Sequence, residues 1–256
     1  MLSVQSVNKQ FGGLRALNNV SLDVAANEIH GVMGANGAGK TTLFSIIAGH
    51  QRPDTGRIVF DGKEIQGLRP DQVCRRGIAR SFQIVRPFPN MTVRENVETA
   101  VQFGRFSVDK GVNSGVDNGA ENSSKPIAPA ERTDSILEAT ELADLADKPA
   151  RVLTLSGRKR LELARALGSG PRLLLLDEIM AGLTASEVRK MTETIQQVRH
   201  ANGLTILIIE HVVSALSDLS DTITVLHHGE RIAQGSPKEI ADDAVVQAVY
   251  FGEEAT

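Results

Sequence analysis

Cysteine is nearly absent. Cys74 is the only one in 256 residues, which excludes an intramolecular disulfide and fits a reducing compartment. Positive charge is not in excess either: 28 Lys and Arg stand against 31 Asp and Glu, a formal net charge of -3. The chain therefore carries no global basic field to hold nucleic acid, and none is expected as a partner. Long hydrophobic runs are missing. The longest apolar stretches, residues 173–176 and 205–209, are strand-sized, whereas a membrane-spanning helix needs about 20 apolar residues. The start, MLSVQSVNK, lacks the charged region and apolar run of a secretory leader. There is no internal repeat. His227 and His228 have no His or Cys partners at metal-ligand spacing and read as structural.

What is present is a strand-and-helix pattern with 41% hydrophobic residues, enough for a well-buried core. Residues 3–7, 20–24 and 29–33 read as strands, and residues 57–60 and 63–65 flank the hairpin signal Asp61-Gly62. A glycine-rich turn and an apolar helix over 41–48 follow the third strand. Residues 93–103 and 131–142 read as helices separated by the segment 104–130, which is rich in Gly, Ser and Asn, has no hydrophobic period and is expected to be a flexible loop. From residue 172 the chain alternates: strands at 173–176, 204–209, 222–226 and 231–233, helices at 186–200 and 212–219. Fully apolar strands alternating with helices imply a mostly parallel sheet covered on both faces.

Gly34-Ala35-Asn36-Gly37-Ala38-Gly39-Lys40-Thr41 fits the phosphate-binding loop G-x-x-x-x-G-K-[ST], with a strand before it and a helix after it. Glycines let backbone N–H groups turn inward around phosphate oxygens. Gly34, Asn36, Gly37, Ala38, Gly39, Lys40, Thr41 and Thr42 are the expected nucleotide-binding residues. Lys40 would reach the β- and γ-phosphates, and the Thr41 hydroxyl would face Mg²⁺. The apolar strand 173–176 ends in Asp177-Glu178, two carboxylates at the strand end where ligands bind in open α/β sheets. Asp177 would hold Mg²⁺ through water, and Glu178 would polarise an attacking water. A GTPase would need a guanine-reading Asn-Lys-x-Asp after a strand. Asn8-Lys9-Gln10-Phe11 precedes the phosphate loop and lacks the aspartate.

These features, in this order, resemble the ATP-binding subunit of an ABC transporter over nearly the whole chain, apart from 104–130. The resemblance implies an α/β P-loop NTPase of RecA-like type, with a mostly parallel sheet, an N-terminal antiparallel β subdomain and an inserted helical subdomain. The core would comprise 1–86 and 161–256, and the helical part 87–160. ATP and Mg²⁺ are the implied cofactors. Gln83 in Ser81-Phe82-Gln83 matches the family's Q-loop, which senses the γ-phosphate and Mg²⁺. His211 in Ile209-Glu210-His211 matches the switch histidine on the γ-phosphate. Phe11 stands where the family stacks an aromatic ring on adenine, although it could also be a core aromatic. Arg75, Arg76 and Arg80 read as a solvated face.

The family's signature, typically Leu-Ser-Gly-Gly-Gln, opens a helix facing the nucleotide held by the opposite ATPase chain. Here it falls on Leu153-Thr154-Leu155-Ser156-Gly157. Thr154, Ser156 and Gly157 are thereby the expected contacts in trans. A shifted register, Leu155-Ser156-Gly157, restores three letters but moves the helix out of phase. Arg158, Lys159 and Arg160 crowd the first turn, where the helix dipole disfavours cations. They would either attract the phosphate or form a solvated face. Ile179-Met180 follows Glu178 where the family often has proline, and Ala181-Gly182-Leu183-Thr184 lacks the aspartate common at the end of the family's D-loop. Together these departures imply a weaker ATP site opposite this chain's signature.

The run Phe11-Gly12-Gly13-Leu14-Arg15-Ala16-Leu17, Ser81-Phe82-Gln83 with Pro87-Phe88, and the tail from Gly235-Ser236-Pro237 through 245–252 resemble the branched-chain amino acid type of importer. That group also includes importers of amides or urea. The resemblance implies two membrane-spanning permease subunits, a second ATPase subunit in a homo- or heterodimer, and an extracytoplasmic solute-binding protein. It implies a peripheral place on the cytoplasmic face of the membrane. A soluble ABC-type ATPase of cofactor assembly is the alternative.

Overall fold

Apolar side chains alternate with polar ones from the first residues, and strands form there because one face can then be buried. The structure is a computed structural model that describes residues 1–81, 87–105, 128–211 and 213–251. It divides into two compact units, Met1–Ile84 with Arg172–Thr256, and Val85–Pro171.

In the first unit β1 (Leu2–Phe11) and β2 (Leu14–Val24) form an antiparallel hairpin across Gly12-Gly13. β3 (Ile29–Met33) leaves for a second sheet and runs through a glycine-rich loop into α1 (Lys40–Ile47). β4 (Thr55–Phe60) and β5 (Lys63–Glu64) then complete an antiparallel sheet of order β2-β1-β4-β5. A short helix α2 (Pro70–Arg75) and strand β6 (Ile78–Arg80) come next. The second unit intervenes and contains α3 (Val93–Phe103), α4 (Pro129–Ala139) and α5 (Leu155–Gly168). The chain returns with β7 (Leu173–Asp177), α6 (Ala185–Asn202), β8 (Thr205–Ile209), α7 (Val213–Leu219), β9 (Thr222–His227), β10 (Glu230–Gly235), α8 (Pro237–Asp242) and α9 (Ala244–Phe251).

The second sheet has order β10-β9-β3-β8-β7-β6 and is parallel except for β10. Every residue of β3, β7 and β8 is buried, as a strand covered on both faces requires. Leu173, Leu175, Leu207 and Ile209 join Phe44 and Ile47 of α1 and Val4, Leu22 and Phe60 of the first sheet in one core. The alternate residues Leu174, Leu176, Ile206 and Ile208 are buried outside that cluster. This architecture is the expected α/β class with an antiparallel first sheet. The pattern of 70–80, left unassigned in the sequence, proves to be α2 and β6.

The second unit packs Val93, Val97 and Val101 of α3 against Leu137 of α4 and Leu161 and Ala164 of α5. Thr92 caps α3 reciprocally with Glu95. The sequence pattern returns to the core at residue 161, but α5 runs unbroken through that point and residues 161–171 stay with this unit. Of the expected loop 104–130, residues 106–127 lie outside the described residues, while Pro129 already begins α4.

One buried histidine depends on a carboxylate at the entrance to β3. His30 is fully buried, with Nδ1 3.1 Å from Glu28 Oε1 and Nε2 2.8 Å from Thr224 Oγ1. Burial alone would push the Glu28 carboxyl up. Hydrogen bonds from His30, the Ala25 N–H and Thr222 outweigh it and bring the pKa from 4.5 down to about 2. A depressed carboxyl stabilises the fold above its unfolded value and loses that contribution as pH falls from about 4.5 toward 2. Urea titrations of the Glu28→Gln chain should therefore diverge from the parent above pH 4.5 by up to about 2 kcal/mol, allowing for partial solvent screening, and converge in acid. Parallel pH profiles would show that Glu28 contributes no such term.

Candidate functional site

The loop after β3 is built by backbone that side chains resist. Gly34 and Gly39 have φ of 156° and 102°. A Cβ on Gly34 would lie 2.3 Å from the Leu226 carbonyl oxygen, and one on Gly39 2.4 Å from that of Ala16. Gly37, at φ 82°, has nothing within 4 Å of where its Cβ would stand. The loop is thus clamped at both ends by main chain and open at its middle. It delivers the N-terminus of α1, whose first turn carries no acidic side chain, a favourable end for an anion. Lys40 is buried, and its ammonium donates to the carbonyls of Gly34 at 2.6 Å and Ala35 at 3.0 Å. Burial pushes its pKa down, partly offset by the nearby charges of Glu178 and Asp177. A phosphate would supply the counter-charge that two neutral carbonyls do not. Thr41 is exposed and Thr42 half-buried beside it; Asn36 is exposed and Ala38 buried.

β7 places the acid pair beside this loop. Asp177 is buried at the strand end, and its N–H donates to Ser81 Oγ at 3.0 Å. Its Oδ2 accepts from the Arg80 guanidinium at 2.6 Å. Its Oδ1 is buried and accepts no hydrogen bond among the described residues. Arg80 therefore corrects the solvated face expected of the three arginines. Its side chain is only 10% exposed, because β6 lies parallel beside β7 with Arg80 opposite Leu175. Arg75 does lie in solvent, paired with Asp71 at 2.9 Å, and Arg76 donates to the Glu64 carbonyl at 2.9 Å.

Glu178 turns out of the strand at φ 52°, with its N–H on the Ile209 carbonyl at 3.0 Å. His211 Nε2 stands 2.8 Å from Glu178 Oε1. Between them in the chain, Glu210 is buried and accepts the Met180 N–H at 2.8 Å. Glu210 escaped the sequence analysis. Its only signal was a carboxylate placed directly after an apolar strand. Phe11 is 44% exposed at the end of β1, so it is not a core aromatic, and Lys9 Nζ lies 5.3 Å from its ring centroid. Gln83 lies outside the described residues.

In the second unit, Thr154 is the N-cap of α5, its hydroxyl accepting the Gly157 N–H at 3.2 Å. α5 thus begins at Leu155, directly after its cap. Thr154 and Leu155 are exposed, whereas Ser156 and Gly157 are buried in this unit. Arg158 Nε donates to the Leu153 carbonyl at 3.0 Å, and Arg160 pairs with Glu141 at 2.8 Å.

No three His, Cys, Asp or Glu side chains converge on a metal position among the described residues. A nucleotide-borne Mg²⁺ needs only one or two side chains besides the phosphates. The orphaned Asp177 Oδ1 and the exposed Thr41 fit that requirement.

The family described as "ABC transporter" matches residues 17–181. The high-affinity branched-chain amino acid transport ATP-binding protein LivG of Salmonella typhimurium is 36% identical over 253 residues, covering 99% of this chain and 98% of that protein. BraF of Pseudomonas aeruginosa, of the same description, is 35% identical over 253 residues, with 99% and 98% covered. The solved structure of MJ1267, an ATP-binding cassette of an ABC transporter, superposes with a TM-score of 0.83 at 29% identity, covering 98% of each chain.

Replacing Lys40 by Ala should weaken binding of a fluorescent ATP analogue by at least about 10-fold, the loss of a charge-assisted contact. The far-UV spectrum should stay that of the parent. Unchanged nucleotide affinity would remove the loop from the site.

Proposed function

Since the chain belongs to the ABC transporter family, we propose that it is the ATP-hydrolysing subunit of an importer for branched-chain or other hydrophobic amino acids. The observation that carries this reading is the convergence at one end of the parallel sheet of the phosphate loop, Asp177 and the Glu178–His211 pair. Full-length similarity to LivG and BraF supports the substrate class. No helix among the described residues is long and apolar enough to cross a membrane. In this reading the transport path belongs to two permease subunits, and the chain sits peripherally on their cytoplasmic side. A solute-binding protein outside delivers the amino acid.

The residues divide the work by position. The loop N–H groups and Lys40 hold the β- and γ-phosphates. Thr41 and, through water, Asp177 would hold Mg²⁺, which when bound offsets charge on the phosphates. Glu178 takes a proton from the attacking water as its oxygen bonds to the γ-phosphorus and the bond to the leaving ADP oxygen breaks. His211, bonded to Glu178, orients that carboxylate and reaches the γ-phosphate. Phe11 covers the adenine. Gln83 senses the γ-phosphate and Mg²⁺. A second ATPase chain closes over this nucleotide, and Thr154 with its neighbours faces the nucleotide of that chain. ATP drives transport because it binds the closed pair better than the open one.

Glu178→Gln should bind ATP like the parent and hydrolyse it about 10²–10⁴-fold more slowly, the usual span for loss of a general base. Tagged and extracted gently from membranes with ATP, that variant should bring down two multi-span proteins and an ATPase chain. Hydrolysis at the parent rate would remove Glu178 from the chemistry. Recovery of soluble partners alone would overturn the importer.

A further inference from the structure

Arg80 lies beside the acid end of β7 with its side chain only 10% exposed, and no role above uses it. Its guanidinium is held at two points. Nη2 donates to Asp177 Oδ2 at 2.6 Å, and Nη1 donates to Ser45 Oγ at 3.0 Å. Ser45 lies on α1, four residues after Thr41, and its own hydroxyl donates to the Thr41 carbonyl at 2.7 Å. One planar cation thus ties together the helix that begins in the phosphate loop, the edge strand β6 and the carboxylate of β7. Neutralising Asp177 does not by itself explain the two-point hold, because a buried ion pair is often no better than apolar residues of similar volume. Geometry does. A guanidinium is a rigid fork, and two anchors fix both its position and its plane. It occupies Oδ2 and leaves Oδ1 buried without a partner among the described residues.

The geometry points to Arg80 as a positioning residue for nucleotide-bound Mg²⁺. It holds the Asp177 carboxylate in one rotamer, with Oδ1 presented to the water shell of the cation, while the Ser45 contact keeps this carboxylate in register with Thr41. It does not touch the nucleotide. The role rests on the ATP and Mg²⁺ reading of the site. It is the arrangement by which a second layer of hydrogen bonds orients a metal ligand.

The test separates metal from nucleotide. The full chain is titrated with a fluorescent ATP analogue in EDTA, and then with Mg²⁺ at fixed analogue. For Arg80→Met, affinity in EDTA should stay within about twofold of the parent, while the half-saturating Mg²⁺ concentration rises about 10- to 100-fold. Arg80→Lys, which keeps the charge without the fork, should fall between. Ser45→Ala, which frees one anchor, should shift the Mg²⁺ midpoint the same way by less. If Arg80→Met does not fold, the Lys and Ser45 variants decide. A midpoint shift in them supports the role, and its absence overturns it. Equal losses with and without Mg²⁺ would show general damage to the site and overturn it too. A parent chain whose analogue binding ignores Mg²⁺ would defeat the reading of the site itself, a different failure from variants that match a Mg²⁺-dependent parent.

Discussion

A carboxylate at the end of a fully buried strand cannot stand alone. All five residues of β7 are buried, and four leucines carry Asp177 into the interior. An unpaired charge there would cost several kcal/mol. The fold meets this with one cation. Arg80 reaches Asp177 only if β6 lies parallel to β7 in the observed register. Ser81, the next residue, takes the Asp177 N–H and gives its own N–H to the Leu175 carbonyl. The ion pair therefore fixes the sheet edge. Through Ser45 the same cation is tied to α1. Arg80 of β6 thus links α1 and β7, which come from distant parts of the sequence.

This explains what could and could not be seen in the sequence. The phosphate loop is legible because its eight residues are contiguous and its glycines answer local needs. A main-chain oxygen stands where each clamping glycine's Cβ would be. β7 and β8 are legible because strands buried on both faces admit only apolar residues. Arg80 is not legible. Three arginines within six residues look like a solvated face, and Arg75 is on one. Only the pairing of β6 with β7, a contact across about 97 residues of sequence, distinguishes the third arginine from the first. Glu210 was hidden for a similar reason. Its partner is the backbone N–H of Met180 on another loop, and no side-chain pattern announces a main-chain partner.

The basic first turn of α5 shows the same limit from the other side. Read along the chain, Arg158, Lys159 and Arg160 at a helix N-terminus ask for an anion. In space, two of them have acceptors within their own unit. Arg158 folds back onto the Leu153 carbonyl and Arg160 pairs with Glu141. Lys159 is buried. The Thr154 hydroxyl already accepts the Gly157 N–H, so one of the helix's free donors is used internally. The dipole's cost is offset locally, and the basic run needs no nucleotide to account for it. At this end of α5, Thr154, Leu155 and Arg158 are exposed.

The backbone of Glu178 carries the last step. A left-handed conformation in a residue with a Cβ costs of order 1–3 kcal/mol and persists only where its surroundings over-determine it. Here they do. The Glu178 N–H is held by Ile209, the Ala181 N–H returns to the Glu178 carbonyl at 3.2 Å, and Met180 is held by Glu210. Each anchor on β8's side lies within two residues of His211. The turn that aims Glu178 and the residue that meets its carboxylate are therefore set by the same short stretch, 209–211. The strain is local, while the contacts that hold it come from the strand end that leads into His211. A displacement of that strand end would loosen the turn as it withdrew the imidazole. Glu178 and His211 are thus coupled through main chain as well as through their 2.8 Å contact.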